Sequence, residues 1–156
     1  MATPQAYIVD ALRSPTGKRK GSLAHVHGAD LGAHVIRALV ERNAIPAEEY
    51  DDVIFGCVDT IGALAGDIAR TSWLAAGMPL CVPGTTVDRQ CGSSQQAIHF
   101  AAQAVMSGTQ DVVAVGGVQV MKFGEYVYSL YVPTSLNLVK MKPLRGTGLF
   151  ILDAKL

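Results

Sequence analysis

Apolar residues fall into two textures along this chain: short β-branched runs, and longer segments with helical spacing. Ala6–Leu12 (AYIVDAL) reads as a short buried strand. The loop Arg13–Ala29 follows, with Pro15, Gly17, Gly21 and Gly28 as turn formers and a basic tip at Lys18-Arg19-Lys20. Asp30 is placed to cap a helix reaching Arg42, with Leu31, Val35, Ile36, Leu39 and Val40 as its apolar stripe. Asn43 and Pro46 stop it. Val53–Val58 (VIFGCV) is continuous enough for an internal parallel strand. A second helix is expected over Gly66–Ala76, ending at Gly77 with Pro79 beyond. Thr85–Arg89 reads as a third strand, about Cys91 to Ser107 as a third helix ending at Gly108, and Asp111–Val118 (DVVAVGGV) as a fourth strand.

The order β-α-β-α-β-α-β argues for an α/β fold, a parallel sheet with helices on both faces. After Gln119 the texture changes. Met121–Tyr131 is aromatic-rich, Pro133, Pro143, Gly146 and Gly148 break any long element, and Gly148–Asp153 (GLFILD) has the pattern of one more strand. Whether this tail packs is left open by the pattern.

Composition narrows the function classes. Only 17% of the 156 residues are charged against 49% hydrophobic, which excludes a disordered chain. Thirteen basic residues balance thirteen acidic ones, so no global field favours nucleic acid or an anionic membrane. No stretch approaches the roughly 20 apolar residues that span a bilayer. The opening residues lack the basic-then-apolar order of a signal peptide. Three cysteines without a CxxC indicate neither a disulfide framework nor a zinc ribbon, and a reducing cytoplasm is the expected setting.

Cys91 stands where the third strand should hand over to the third helix, in Val87-Asp88-Arg89-Gln90-Cys91-Gly92-Ser93-Ser94. The first N–H groups of a helix lack partners and carry partial positive charge, so a thiol there has its thiolate favoured. Small residues at 92–94 leave room for a substrate, and the bend resembles a nucleophile elbow. Cys91 is therefore expected to alkylate before Cys57 and Cys81, which lack that placement and read as structural. The rival reading, a buried inert cysteine, stays open on placement alone. His99 lies eight residues further along the same helix, about 12 Å away at 1.5 Å per residue, too far to act as base for Cys91. His25, His27 and His34 cluster in sequence but lack the further ligands a metal needs, so no metal site is expected. Lys18-Arg19-Lys20 reads as a solvated tip before a phosphate contact. Asp88 and Arg89 are placed for a structural ion pair. Gly56, Gly62 and Gly66 miss the spacing of a nucleotide loop, and Trp73 reads as packing.

The segment VDRQCGSSQQAIHFAAQAVMSG resembles the nucleophile segment of the thiolases, the acyl-CoA C-acyltransferases. RSPTGKRKGSL resembles their opening strand-to-loop motif, EEYDDVIFGCV their second strand and DVVAVGGVQ their fourth, all in family order over about residues 5–119. The resemblance implies a thiolase-like fold in its incomplete N-terminal half, with a mixed, mostly parallel sheet flanked by helices. It implies residues 1–119 as that half and 120–156 as a divergent tail. By the same match Cys91 is the acyl-accepting nucleophile, its backbone N–H a possible oxyanion donor. The implied substrates are acetyl-CoA and an acyl-CoA or 3-ketoacyl-CoA. Coenzyme A enters as thioester substrate, and no covalently bound cofactor is implied. A homodimer or higher oligomer is implied, with the third strand at the pairing. The family's GHP-type histidine, CxG cysteine and NEAF-like asparagine do not occur in this chain. The expectation is a truncated acyltransferase, of the fatty-acid or sterol side-chain degrading kind, inactive by itself. The alternative is a non-catalytic, dimerising fragment of the same fold. A cysteine hydrolase is disfavoured because no histidine is placed for it.

Overall fold

The computed structural model of the chain describes residues 5–18, 20–120 and 148–153, the last of these as backbone. In chain order the elements are β1 (Tyr7–Arg13), α1 (Gly28–Arg42), β2 (Asp52–Gly56), α2 (Ile68–Ala75), β3 (Gly84–Val87), α3 (Ser93–Ser107), β4 (Val112–Gly117) and β5 (Gly148–Asp153). The aromatic-rich Met121–Tyr131 lies outside the described residues.

The strands form one sheet in the order β1-β5-β4-β2-β3. β2 runs parallel to both β3 and β4. β5 is antiparallel to β1 and to β4, between which it sits. The sheet is thus mixed and mostly parallel, and the purely parallel reading of the strand–helix alternation is corrected. The alternation reported the crossovers faithfully, but β5 lies in the middle of the sheet and runs antiparallel to both of its neighbours.

The crossovers also set which helix covers which face. From β2 the chain crosses by α2 to β3; from β3 it crosses by α3 to β4, on the other side of β2. Right-handed crossovers in opposite directions place their helices on opposite faces. The cores agree. Ile36, Leu39, Val53, Phe55, Ile68 and Trp73 form one buried cluster, with α1 and α2. Ile54, Val87, Ala97, Ile98, Val113 and Val115 form the other, with α3. Val53, Ile54 and Phe55 alternate between the two clusters, as the two-residue period of a strand requires. Trp73 is fully buried, its ring 5.5 Å from that of Tyr50 and its indole N–H bonded to the Pro79 carbonyl at 2.9 Å.

Three helix starts differ from expectation. α1 begins at Gly28 and is capped by His27, whose Nδ1 accepts the Ala29 N–H at 3.2 Å; Asp30 sits inside the first turn. An imidazole with a free ring nitrogen can cap as a carboxylate does, and it does so three residues earlier. α2 starts at Ile68 because Asp67 accepts the N–H groups of Ala69 and Arg70, while Gly66 takes a left-handed φ of +77° that no helix interior uses. α3 starts at Ser93 with Gly92 as its cap, so Cys91 stands just before the helix. The α3 end is as expected, with Gly108 at a φ of +75° closing the last turn. Of the expected α1 stripe, Val35, Ile36 and Leu39 are buried and Leu31 and Val40 only partly covered; the buried face also extends over Gly28, Ala29, Gly32 and Ala33. Small residues dominate because α1 meets α2 closely; a Cβ on Gly32 would lie 2.8 Å from Ser72 Cβ.

Candidate active site

The site is built at the carboxyl ends of the parallel strands, where α2 and α3 diverge to opposite faces. Open α/β sheets place ligands at such a point. Two glycines let the start of α3 sit there. Gly56 ends β2 and Gly117 ends β4, paired to each other across the sheet. A Cβ on Gly56 would fall 2.5 Å from Ser94 Cα, and closer still to the Ser93–Ser94 peptide. A Cβ on Gly117 would strike the Ser94 hydroxyl and lie 2.6 Å from the Gly56 carbonyl. Without side chains at both positions, the Ser93–Ser94 backbone packs directly onto the end of β2 and the Ser94 side chain onto the end of β4.

Between Val87 and Ser93 the chain turns tightly. Asp88 Oδ1 accepts the Gln90 N–H at 2.9 Å. Gly92 N–H donates to the Arg89 carbonyl at 3.0 Å and Ser93 N–H to the Gln90 carbonyl at 3.1 Å. Gln90 is held at a φ of +48°, in the left-handed region that L-residues enter at a cost. The Ser93 hydroxyl accepts the Arg89 N–H at 2.8 Å and donates to the Gln90 carbonyl at 2.6 Å. Arg89 extends its guanidinium to Gln96 Oε1, one turn into α3. The expected ion pair between Asp88 and Arg89 is therefore corrected: each is engaged with the elbow instead, the carboxylate on a backbone N–H and the guanidinium on a glutamine.

Cys91 lies at the crest of this turn and is exposed. Its exposure is at odds with burial, the first half of the rival reading. Cys57, just after β2, is buried, and burial pushes its thiol up to about 11. Its Sγ approaches Gln119 Oε1 at 3.5 Å, an oxygen that also accepts the Val58 N–H at 2.8 Å. Cys81 is exposed and lies in the loop between α2 and β3, away from any helix start. Exposure alone does not rank Cys81 and Cys91. His99 remains on the continuous α3, half-buried and two turns beyond the cysteine. Of the other histidines, His27 serves as the α1 cap, and His25 and His34 are exposed. Lys18 and Lys20 are exposed on the loop before α1.

The sequence pattern did not mark Gly56 and Gly117 as parts of the site, and it offered Ser93 only as a small residue and Gln90 only as a member of the turn. The signal for the two glycines was their place at the close of β-branched runs, which read as strand ends when only nucleotide-loop spacing is sought.

The comparisons with known proteins bear on the family and the fold. The family described as "Thiolase, N-terminal domain" matches residues 6–143. A steroid 3-ketoacyl-CoA thiolase of Mycobacterium tuberculosis is 62% identical over 117 residues, covering 75% of this chain and 29% of that protein. A beta-ketoadipyl-CoA thiolase of Acinetobacter baylyi is 47% identical over 123 residues, covering 78% of this chain and 31% of that protein. Among solved structures, the Bacillus anthracis acetyl-CoA acetyltransferase superposes with a TM-score of 0.72 at 39% identity, over 77% of this chain and 30% of that one. The chain thus spans less than a third of the length of these relatives.

Proposed function

The chain belongs to the thiolase family, and from that premise we propose that it carries the acyl-accepting half of a 3-ketoacyl-CoA thiolase active site, with Cys91 as the nucleophile. The observation that carries the reading is the exposed Cys91 at a braced strand-to-helix elbow, against the buried Cys57. Cys91 Sγ attacks the carbonyl carbon of an acyl-CoA or 3-ketoacyl-CoA. The carbonyl π pair moves to oxygen, and the Cys91 backbone N–H, ahead of the α3 start, is the donor offered to that oxyanion. Collapse expels coenzyme A as its thiolate, or the acetyl-CoA carbanion when a ketoacyl chain is cleaved, and leaves the acyl group on sulfur. The proton released by Cys91 goes to the leaving group. A thioester is exchanged for a thioester, so the step is close to thermoneutral and a soft nucleophile serves both directions.

The likeness to a steroid 3-ketoacyl-CoA thiolase favours the degradative direction and a sterol-derived acyl chain. Coenzyme A thioesters are substrates here, with no covalently held cofactor. β3 pairs with β2 on one side and with no described strand on the other, which supports a homodimer built along that edge. The N-terminal unit is taken as residues 1–119, followed by a divergent 120–156. A cytoplasmic setting suits a CoA-dependent enzyme; among the described residues no helix is long and apolar enough to cross a membrane.

The test is trapping of the acyl-enzyme. Incubation with acetyl-CoA should add one hydroxylamine-sensitive acetyl group, mapped to the peptide containing Cys91 and absent from Cys91→Ala. Acetyl on Cys81 alone, or none at all, would remove the basis of this reading.

A further inference from the structure

We propose that Ser93 is the positioning residue of the elbow, orienting and polarising the Cys91 N–H as oxyanion donor; this rests on the reading of Cys91 as acyl acceptor. The carbonyl of Gln90 and the N–H of Cys91 belong to one planar peptide. Fixing the direction of that carbonyl fixes the direction of the N–H on the opposite side. Two donors converge on the Gln90 carbonyl, the Ser93 hydroxyl at 2.6 Å and the Ser93 N–H at 3.1 Å. The same hydroxyl takes the Arg89 N–H at 2.8 Å, so it bonds to backbone groups on both sides of Gln90, whose φ is +48°. Ser93 is 4% exposed, with its backbone seated against the Gly56 end of β2. The hydroxyl is therefore anchored by the sheet, and solvent does not compete for its bonds. A carbonyl accepting two hydrogen bonds also draws charge along its amide, which makes the attached N–H a stronger donor. The role of Ser93 is exerted through the peptide that joins Gln90 to Cys91.

This role separates two reactions of one thiol. Acyl transfer from a thioester develops an oxyanion and uses the N–H. Alkylation by iodoacetamide occurs at a saturated carbon, develops none, and does not. The experiment measures both at Cys91 by peptide mass, in the full chain, with acetyl-CoA and iodoacetamide as the probes. Ser93→Ala is expected to slow acetylation about tenfold or more, since loss of an oxyanion donor costs roughly 10²–10³-fold and misalignment a part of that. Alkylation of Cys91 should stay within about twofold, and Cys57 should stay unlabelled, which reports an intact fold. Ser93→Thr, which keeps the hydroxyl, should bring acetylation back to within about threefold. Equal slowing of both reactions, or unchanged acetylation in Ser93→Ala, would overturn the proposal while leaving Cys91 as acyl acceptor. Absence of acetylation in the unsubstituted chain would instead overturn the reading of Cys91. Should Ser93→Ala fail to fold, amide exchange in the unsubstituted chain decides: the Arg89 N–H should be protected by its bond to Ser93, and exchange at the rate of an unstructured peptide would contradict the clamp.

Discussion

Gln90 concentrates the cost of the elbow in one residue. A left-handed φ costs an L-residue roughly 1–2 kcal/mol, and Gln90 holds +48° beside the nucleophile. Such strain persists only where neighbours over-determine it, as the Ser93, Asp88 and Gly92 bonds do here. A β-branched side chain fits that region far less well. Gln90→Ile is therefore expected to destabilise the fold by about 1–2 kcal/mol, read from the urea midpoint. An unchanged midpoint would mean the elbow is not strained as described. The cysteines divide in the same way. Cys57, buried with its thiol raised to about 11, should resist iodoacetamide near pH 8 in the folded chain, while Cys81 and Cys91 react. Labelling of Cys57 at the rate of the others would place it outside the core. At this scale the position of Cys91 at a strand–helix junction was legible, because a strand-like run ends just before it and a helical segment follows. Ser93 was not. Its role depends on the backbone bonds of a turn, and in sequence it is one of two adjacent serines.

Among elements, the junction of α3 with β2 and β4 decides where the nucleophile stands. Gly56 and Gly117 have no room for a methyl group: the Ser93–Ser94 backbone occupies the space at Gly56, and the Ser94 hydroxyl and the Gly56 carbonyl that at Gly117. Overpacking a rigid contact costs typically 1–3 kcal/mol. Gly56→Ala and Gly117→Ala should each lower stability by at least about that amount, and acetylation of Cys91 with it; tolerance of either would mean α3 does not seat on the strand ends. The β1–α1 contact carries a pH signature. Asp10 accepts hydrogen bonds from Arg42 and Asn43 at the end of α1, and the Arg42 guanidinium holds its carboxyl down at about 2. A carboxylate lowered in the folded state stabilises above its unfolded value, near 4, and that contribution is lost as pH falls through the folded value. Asp10→Asn should therefore reduce stability at pH 7 and approach the parent as pH drops from about 4 to about 2. A difference constant across that window would contradict the pairing. The elements themselves were largely legible, since β-branched runs and capped periodic segments alternate cleanly. What escaped was set by tertiary contact. His27 displaced Asp30 as the α1 cap, and the small-residue crossing of α1 and α2 extended the buried face over Ala29, Gly32 and Ala33. β5 was visible only as a pattern; its antiparallel place between β1 and β4 depends on a chain path no local periodicity encodes.

For the whole molecule, the chain supplies a thiol, an elbow and a candidate oxyanion donor, while His99, the histidine nearest Cys91 in sequence, is two turns along α3 and out of reach of the thiol proton. Apolar Phe100 and Met106 are exposed on that helix, a surface suited to further protein. The matched segment covers 29% and 30% of the length of two longer relatives. The proposed division of labour is that this chain holds the acyl group and a second half, with the family's histidine and second cysteine, moves the protons. Losing general acid–base catalysis costs typically 10²–10⁴-fold for each role. The most direct measurement is thiolysis of acetoacetyl-CoA by the purified chain, alone and mixed with the complementary second half of a related thiolase, each with its Cys91→Ala counterpart. The expected result is no turnover by the chain alone, turnover in the mixture, and its loss with Cys91→Ala. Turnover by the isolated chain that survives Cys91→Ala would contradict both the role of Cys91 and the need for a second half.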